Sequence, residues 1–370
     1  MRTPVVVVTG RGDVDDVVGV LLRVTGTALV EHHFDGHVVH RKTTTLQRGI
    51  AVSADSVLEL TNCCMSCTVR NDLLEHLRRL HRRPDIDRIV VRLSPWMEPE
   101  PVCFAIAHSP AARDVSISAV VTAVDASSWL SEALGEDELD DGRTVAQVVV
   151  AQVEFADVLV LTHPDADTLA VARRLAPRAR VTVGTERLEL ALANLESDAR
   201  RGRSDDPHGS LLAGQPPLDP AGSVRLFEFQ AQRPFHPQRL HAAVDSLLDG
   251  VVRSRGRLWV ASQPDQAMWL ESAGGGLRVA RAGKWLAAMS SREVAYVSPE
   301  RRAMADLIWD DRHGDRHTSM TVLACGAVPA EILAALQSAV LTDVEMRRPE
   351  DWCRYDDPFG DWHAEEARLA

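Results

Sequence analysis

Four consecutive valines, Val5 to Val8, open the hydrophobic pattern. A β-branched run of this kind belongs to a strand buried on both faces. The turn-forming stretch Thr9-Gly10-Arg11-Gly12-Asp13 follows, and residues 14–22 carry a helical pattern. Residues 29–34 and 37–41 flank Asp35-Gly36, which predicts a β-hairpin. Leu73, Leu74, Leu77 and Leu80 recur at one-turn spacing and predict a helix. Residues 87–93, 116–125 and 157–161 read as strands, with a helix over 147–156. Strands alternating with helices predict a doubly wound, mostly parallel α/β sheet. Asp125 then stands at a strand's carboxyl end, the edge that faces the ligand crevice in such sheets.

The pattern changes after residue 200. Residues 200–220 are rich in Gly, Pro and Asp and read as a linker. Beyond it the strands alternate, at 224–229, 251–261 and 319–324, with helices expected over 237–250 and 329–341. Gly274-Gly275-Gly276 marks a turn between two further apolar segments. A smaller α+β domain fits this half. The last stretch, from Trp352 to His363, is aromatic and acidic and suits docking onto a neighbour as much as disorder.

A chain of 370 residues has room for two cores. Its net charge of -12 argues against broad nucleic-acid binding, and no sequence-specific DNA contact is expected. No hydrophobic run reaches the length of a membrane span. The opening residues run into Thr9-Gly10 too soon for a signal peptide. Six cysteines in this arrangement make no disulfide framework, so a reducing cytoplasm is the expected location.

Candidate chemistry concentrates in Cys63, Cys64 and Cys67, three cysteines within five residues just before the leucine-patterned helix. Cys64 and Cys67 have the C-x-x-C spacing that grips zinc, and Ser66 or Thr68 is a candidate helix cap. A helix N-terminus beside Cys67 favours its thiolate. Metal ligation, a redox pair and an inert buried cluster remain open on spacing alone. The turn after the four valines has the frame of a phosphate-binding loop, Gly10 and Gly12 included. However, Asp16 and Val17 stand where the Lys and the Ser or Thr are needed, and Asp13 and Asp15 add carboxylates. A carboxylate about 4 Å from a phosphate charge costs on the order of 4 kcal/mol at an effective dielectric near 20. Several such pairs outweigh the amide hydrogen bonds of the loop, so phosphate binding is not expected there. In the hairpin, His32 and His37 fall on one face and His33 and His40 on the other, so ordinary strand histidines are expected there. Arg253, Arg255 and Arg257 share one face of a strand, either as a solvated face or as a contact for RNA or an acidic partner.

Nearly the whole chain resembles the CobW-type metallochaperone GTPases. Cys64-Met65-Ser66-Cys67-Thr68-Val69-Arg70-Asn71-Asp72-Leu73 is similar to that family's C-x-C-C motif with its trailing Thr, Arg and Asp-Leu, although Ser66 replaces the second cysteine and Cys63 stands one place earlier. The segment 235–241 and Arg255-Gly256 through Trp259 resemble the start of the family's C-terminal domain. The resemblance implies a P-loop-NTPase-like domain over 1–203, a linker over 204–222, a CobW C-terminal-like domain over 223–345 and a tail over 346–370. Against the family pattern, the phosphate loop lacks Lys and Thr, the Glu-Thr-Gly strand end reads Arg92-Leu93-Ser94-Pro95, and Asn-Lys-x-Asp keeps only Asp165. A GTPase fold without GTPase chemistry is expected. The cysteine segment, the basic run at 78–83 and the segment 357–363 resemble specifically the branch that recruits a ribosome hibernation factor (Mrf). That resemblance implies zinc as the metal, and the ribosome with a protein Y-type hibernation factor as partners.

Overall fold

The computed structural model describes residues 2–36, 38–59, 65–204, 206 and 208–359, with residues 65–67 described in backbone only. The chain divides into two compact units. One comprises Met1–Glu132 and Val148–Pro207; the other comprises Ala133–Gln147 and His208–Ala370.

The first unit follows the order β1 (Thr3–Gly10), α1 (Val14–Leu22), β2 (Thr27–Phe34), β3 (Val39–Gln47), β4 (Ile50–Leu58), α2 (Met65–His81), β5 (Arg88–Arg92), α3 (Pro99–Ala107) and β6 (Val115–Asp125). Next come α4 (Trp129–Ala133), α5 (Val145–Glu154), β7 (Val158–Thr162), α6 (Ala166–Leu175), β8 (Arg180–Val183) and α7 (Leu188–Ala193). The eight strands are ordered β4-β3-β2-β5-β1-β6-β7-β8. From β2 to β8 all pairings are parallel, while β3 and β4 add an antiparallel extension. The doubly wound, mostly parallel sheet expected from the alternating pattern is therefore present. Its central strand shows why the valine run is continuous. Val5 and Val7 pack into a cluster with Leu73, Leu77 and Ile106, and Val6 and Val8 into a separate one with Val17, Leu21 and Leu188. Each face of β1 therefore meets a helical layer, and no polar residue is tolerated on either.

The second unit carries β9 (Val224–Ala231), α8 (Pro237–Val244), β10 (Val251–Trp259), β11 (Gln266–Ala273), β12 (Gly276–Lys284), α9 (Ser291–Val294), α10 (Pro299–Leu307), β13 (Thr318–Cys325), α11 (Pro329–Ala339) and α12 (Asp343–Met346). Its five antiparallel strands are ordered β12-β11-β10-β13-β9. Leu258, Leu270, Met320 and Val322 join Leu240 of α8 and Leu336 of α11 in one core. The expected helix over 237–250 stops at Val244 and tightens into a 3-10 turn, Asp245–Leu247. Ser246 donates its hydroxyl to the Ala243 carbonyl at 2.6 Å, a side-chain bond that competes with continued α-helix. The tail segment docks on this unit: Trp352 packs edge-on to Trp259, and the Asp357 carboxylate accepts from Ser262 and Gln263.

The stretch Ala133–Gln147 lies with the second unit although both its flanks belong to the first. The three-glycine turn explains the association. Gly275 donates its N–H to the Gly135 carbonyl at 3.0 Å, and a Cβ on Gly276 would come within 2.6 Å of the Thr144 hydroxyl. Only residues without side chains permit this approach.

Candidate functional site

The turn between β1 and α1 lies at the carboxyl ends of the parallel strands, where open α/β sheets bind ligands. It borders an open cleft of about 190 Å³ whose other wall is Arg92, Leu93 and Pro95. Both glycines of the turn are held against β6. A Cβ on Gly10 would sit 2.1 Å from the Ala123 carbonyl oxygen, and one on Gly12 would sit 2.7 Å from the Val124 nitrogen. Gly12 donates its N–H to the Ala123 carbonyl at 3.0 Å. The helix begins at Val14, so Asp15 and Asp16 occupy its first turn. Asp13 caps it, its carboxylate accepting the Asp16 N–H at 3.1 Å. An N-terminal amide of this type is the group a phosphate would meet. Here a carboxylate of the chain itself already sits on it.

The remaining charges of the cleft are paired. Arg92 reaches Asp15 at 2.6 Å and Glu31 at 3.1 Å. Arg11 pairs with Glu132 at 3.0 Å and lies 4.2 Å above the ring of Trp96. Burial pushes the Glu132 carboxyl up, opposed by the Arg11 charge. Asp125, at the end of β6, accepts from the Ser127 hydroxyl and contacts His163, and these bonds hold it below the ordinary carboxylate range. Asp165 caps α6 by accepting the Thr168 N–H at 2.9 Å, which lowers its pKa. It acts here as a helix cap, a task for which Asp is among the preferred residues.

Cys63 and Cys64 lie outside the described residues. Cys67 falls in the first turn of α2, as expected for a cysteine at a helix N-terminus. That helix starts at Met65, so Ser66 and Thr68 lie within it and do not cap it. Among the described residues, no group of three or more His, Cys, Asp or Glu side chains is arranged to hold a metal ion.

Beyond its first turn, α2 presents two different faces. Leu73, Leu77 and Leu80 enter the core. Asp72 and His76, one turn apart, face the β2–β3 hairpin. His32 donates from Nε2 to Asp72 at 2.8 Å, and Arg41 donates to the other carboxylate oxygen at 2.5 Å. Arg41 also reaches the Ser56 hydroxyl at 2.9 Å. His76 Nε2 hydrogen-bonds with the Thr43 hydroxyl at 2.8 Å, and its buried Nδ1 has no partner among the described residues. Burial pushes the Asp72 carboxyl up, but the His32 hydrogen bond and the Arg41 charge outweigh it and leave it below its usual 3.8. Burial, aided by the Arg41 charge, lowers His76 from 6.5 to about 4. The sequence pattern did not single out this cluster, although Asp72 and His76 stand at helical i, i+4 spacing opposite the leucines. His33 and His40 share one face of the hairpin as expected, directly paired, and His32 faces Arg41 across the strands. His37 lies outside the described residues.

A histidine kept neutral by the fold gives stability that is complete above its ordinary pKa. As pH falls from 6.5 towards about 4, the unfolded chain takes up a proton that the folded chain refuses, and stability declines. Urea melts across that interval are expected to show this slope. His76→Gln, which keeps a polar partner for Thr43 and does not titrate, should flatten it.

Arg253, Arg255 and Arg257 share one face of β10 as expected, but that face is not freely solvated. All three are half-buried. Arg253 lies 3.2 Å and Arg255 3.9 Å from Glu271 on β11, directly opposite Arg255. On the same face, His208 meets Trp269 edge-on and Ser210 hydrogen-bonds with Thr321.

Two family profiles match the chain in order. The CobW/HypB/UreG nucleotide-binding domain matches residues 28–184, and the cobalamin synthesis protein CobW C-terminal domain matches 224–340. A Mycobacterium tuberculosis protein described as a zinc chaperone is 62% identical over 374 residues, spanning 98% of this chain and 94% of its own. This chain belongs to the CobW family. The zinc-regulated GTPase metalloprotein activator 1 of Dictyostelium discoideum is 25% identical over 340 residues, covering 82% of this chain and 70% of its own. Among solved structures, the Zn(II)-bound YjiA GTPase from E. coli aligns at 17% identity over 92% of this chain and 100% of that one, with a TM-score of 0.38. The matched nucleotide-binding profile spans the cysteine-bearing segment and α2, and it begins after the turn at Gly10. No helix among the described residues is long and apolar enough to cross a membrane.

Proposed function

We propose that this chain is a zinc-responsive, non-catalytic member of the CobW family that recruits a protein Y-type hibernation factor to the ribosome under zinc limitation. One observation carries the non-catalytic part: the Asp13 carboxylate on the Asp16 amide, in a helix start that also holds Asp15. A phosphate arriving there must displace a bonded carboxylate and tolerate two more. Isothermal calorimetry with GTP and magnesium is expected to register no binding up to about millimolar, the weak end of the affinity scale. Micromolar binding or hydrolysis above background overturns this part.

Zinc is assigned to Cys63, Cys64 and Cys67, a thiolate set suited to a soft, closed site. The relatives described as zinc chaperones support that choice of metal. With no nucleotide cycle, metal occupancy is the remaining switch, and the metal-free or partly loaded form is the one that prefers the hibernation factor or the ribosome. Such a switch needs a coupling energy of about 1–3 kcal/mol. A net charge of -12 makes protein contacts the main grip, with Arg253, Arg255 and Arg257 secondary because Glu271 already offsets part of their charge. The test is co-sedimentation with ribosomes and the hibernation factor, with zinc added or chelated. Identical recruitment in both conditions overturns the coupling.

The second reading is a GTP-dependent zinc metallochaperone. The description of the Dictyostelium discoideum relative as a zinc-regulated GTPase metalloprotein activator favours it. The calorimetry separates the two readings.

A further inference from the structure

The crossover helices α2 and α3 lead into β5 and β6, so their last turns come out at the amino edge of the parallel sheet, opposite the turn at Gly10. Arginine collects there. The end of α2 and the loop beyond it carry Arg78, Arg79, Arg82 and Arg83. Arg113 closes the 3-10 turn Pro110–Arg113, and Arg2 stands just before β1. Short contacts tie these pieces into one surface. The Thr3 hydroxyl meets His81 Nδ1 at 2.8 Å, Arg78 donates to Asp114 at 3.0 Å, and Arg2 donates to the Ala112 carbonyl at 3.4 Å.

The acids of this surface do not balance it. Asp114 is taken by Arg78, Glu75 by Arg79 and Asp85 by Arg83. Asp87 leans on Gly26, beside the start of β2. Arg2, Arg82 and Arg113 are exposed and make no ion pair among the described residues. The helix dipole accounts for basic residues in the last turn of α2, but not for Arg2, which precedes a strand. The chain's net charge of -12 is spread over the whole protein, and its more distant acids are screened beyond about 8 Å at physiological salt.

An aromatic pair stands at the same edge. Helix α3 buries Val102, Cys103 and Ile106 and leaves Phe104 45% exposed. The Phe104 ring stacks on exposed His108, one turn further on, with centroids 3.9 Å apart and 24° between the planes. His108 Nδ1 bonds to the Phe104 carbonyl at 2.9 Å, which fixes the imidazole. Ser109 follows directly and caps the 3-10 turn that carries Arg113, and α2 packs on that same turn. A flat aromatic face near unpaired guanidiniums selects its ligand. The cations hold phosphates, and the ring stacks an unpaired base. A duplex hides its base faces, and a run of acidic side chains has no flat group to stack.

We infer that this amino edge binds a single-stranded stretch of RNA, with phosphates on Arg82 and Arg113 and a base on Phe104. The choice of RNA as the nucleic acid rests on the proposed ribosome role.

The test is fluorescence anisotropy of a labelled oligouridine of about ten nucleotides with the full chain, read across salt concentrations. Binding at about 1–100 µM is expected near physiological salt. Arg82→Ala with Arg113→Ala should reduce the slope of log K against log salt by about 1.4, at about 0.7 per phosphate contact. Phe104→Leu should weaken binding about tenfold, and Phe104→Trp should retain it. All these positions are exposed, so circular dichroism should stay unchanged. No binding below about 1 mM, an unaltered slope, or equal binding by Phe104→Leu overturns the inference. Duplex RNA or polyglutamate that competes as well as unlabelled oligouridine overturns it too. The assay contains neither ribosomes nor the hibernation factor, so its failure is distinct from a failure of zinc-dependent recruitment in co-sedimentation.

Discussion

Replacing Cys64 and Cys67 together by alanine is expected to remove tight zinc binding and leave both sheets folded. The apparent binding free energy of a structural zinc site is about 10–16 kcal/mol, shared among its ligands. Losing two thiolates therefore lowers affinity by more than about a thousandfold. The helix that follows is anchored without them. Leu73, Leu77 and Leu80 enter the core, and Asp72 and His76 bond to the hairpin. Circular dichroism should accordingly stay unchanged while zinc stoichiometry by competition with a chromogenic chelator falls. Thiolate ligation displaces protons, so the wild-type affinity should also weaken as the solution is acidified. A double variant with full stoichiometry would place the metal elsewhere in the chain.

Asp72→Ala is expected to be the most destabilising single substitution in the first unit's polar cluster. The side chains of Asp72, Arg41 and His32 are 13%, 10% and 7% exposed, so the carboxylate compensates a guanidinium that water scarcely reaches. Removing one partner of a buried pair costs about 3–5 kcal/mol, because the other charge stays buried and unpaired. Urea unfolding should register that loss. Asp72→Asn keeps an acceptor and should lose less. Asp72→Leu combined with Arg41→Met removes both charges and should recover most of the stability. A loss for Asp72→Ala below about 1 kcal/mol would class the cluster with ordinary surface pairs. The Asp72 contribution is present at neutral pH and disappears as pH falls through its depressed pKa, below the interval in which His76 acts.

The sequence by itself determined the parts that periodicity and local chemistry govern. The valine run and the strand–helix alternation specified a parallel sheet between two helical layers, since only a strand covered on both faces stays apolar at every position. The three aspartates and the lack of a Lys in the turn after β1 were plain without coordinates, because charge type needs no geometry. The i, i+4 leucines of α2 announced its buried face.

Other features depend on residues far apart in the chain. Asp13 was legible as an acid near a helix start, but only the folded turn seats its carboxylate on the Asp16 amide. Arg92 was read as a lost motif residue, and its pairing with Asp15 and Glu31 follows from β5 lying between β1 and β2. Asp72 and Arg41 meet because α2 packs over the hairpin, a contact that no local window encodes. The stripe at Arg253 was visible as alternation, whereas its partial burial required a partner on β11 and the stretch after residue 207 on the same face. The strand β4 left the weakest trace. Its small and polar residues alternate without a buried face to enforce a pattern, and only its pairing with β3 reveals it as an edge. Hydrophobic period and residue chemistry are local quantities and survive in one dimension. Ion pairs across strands, glycine contacts and sheet edges are created by topology and exist only once the chain has folded.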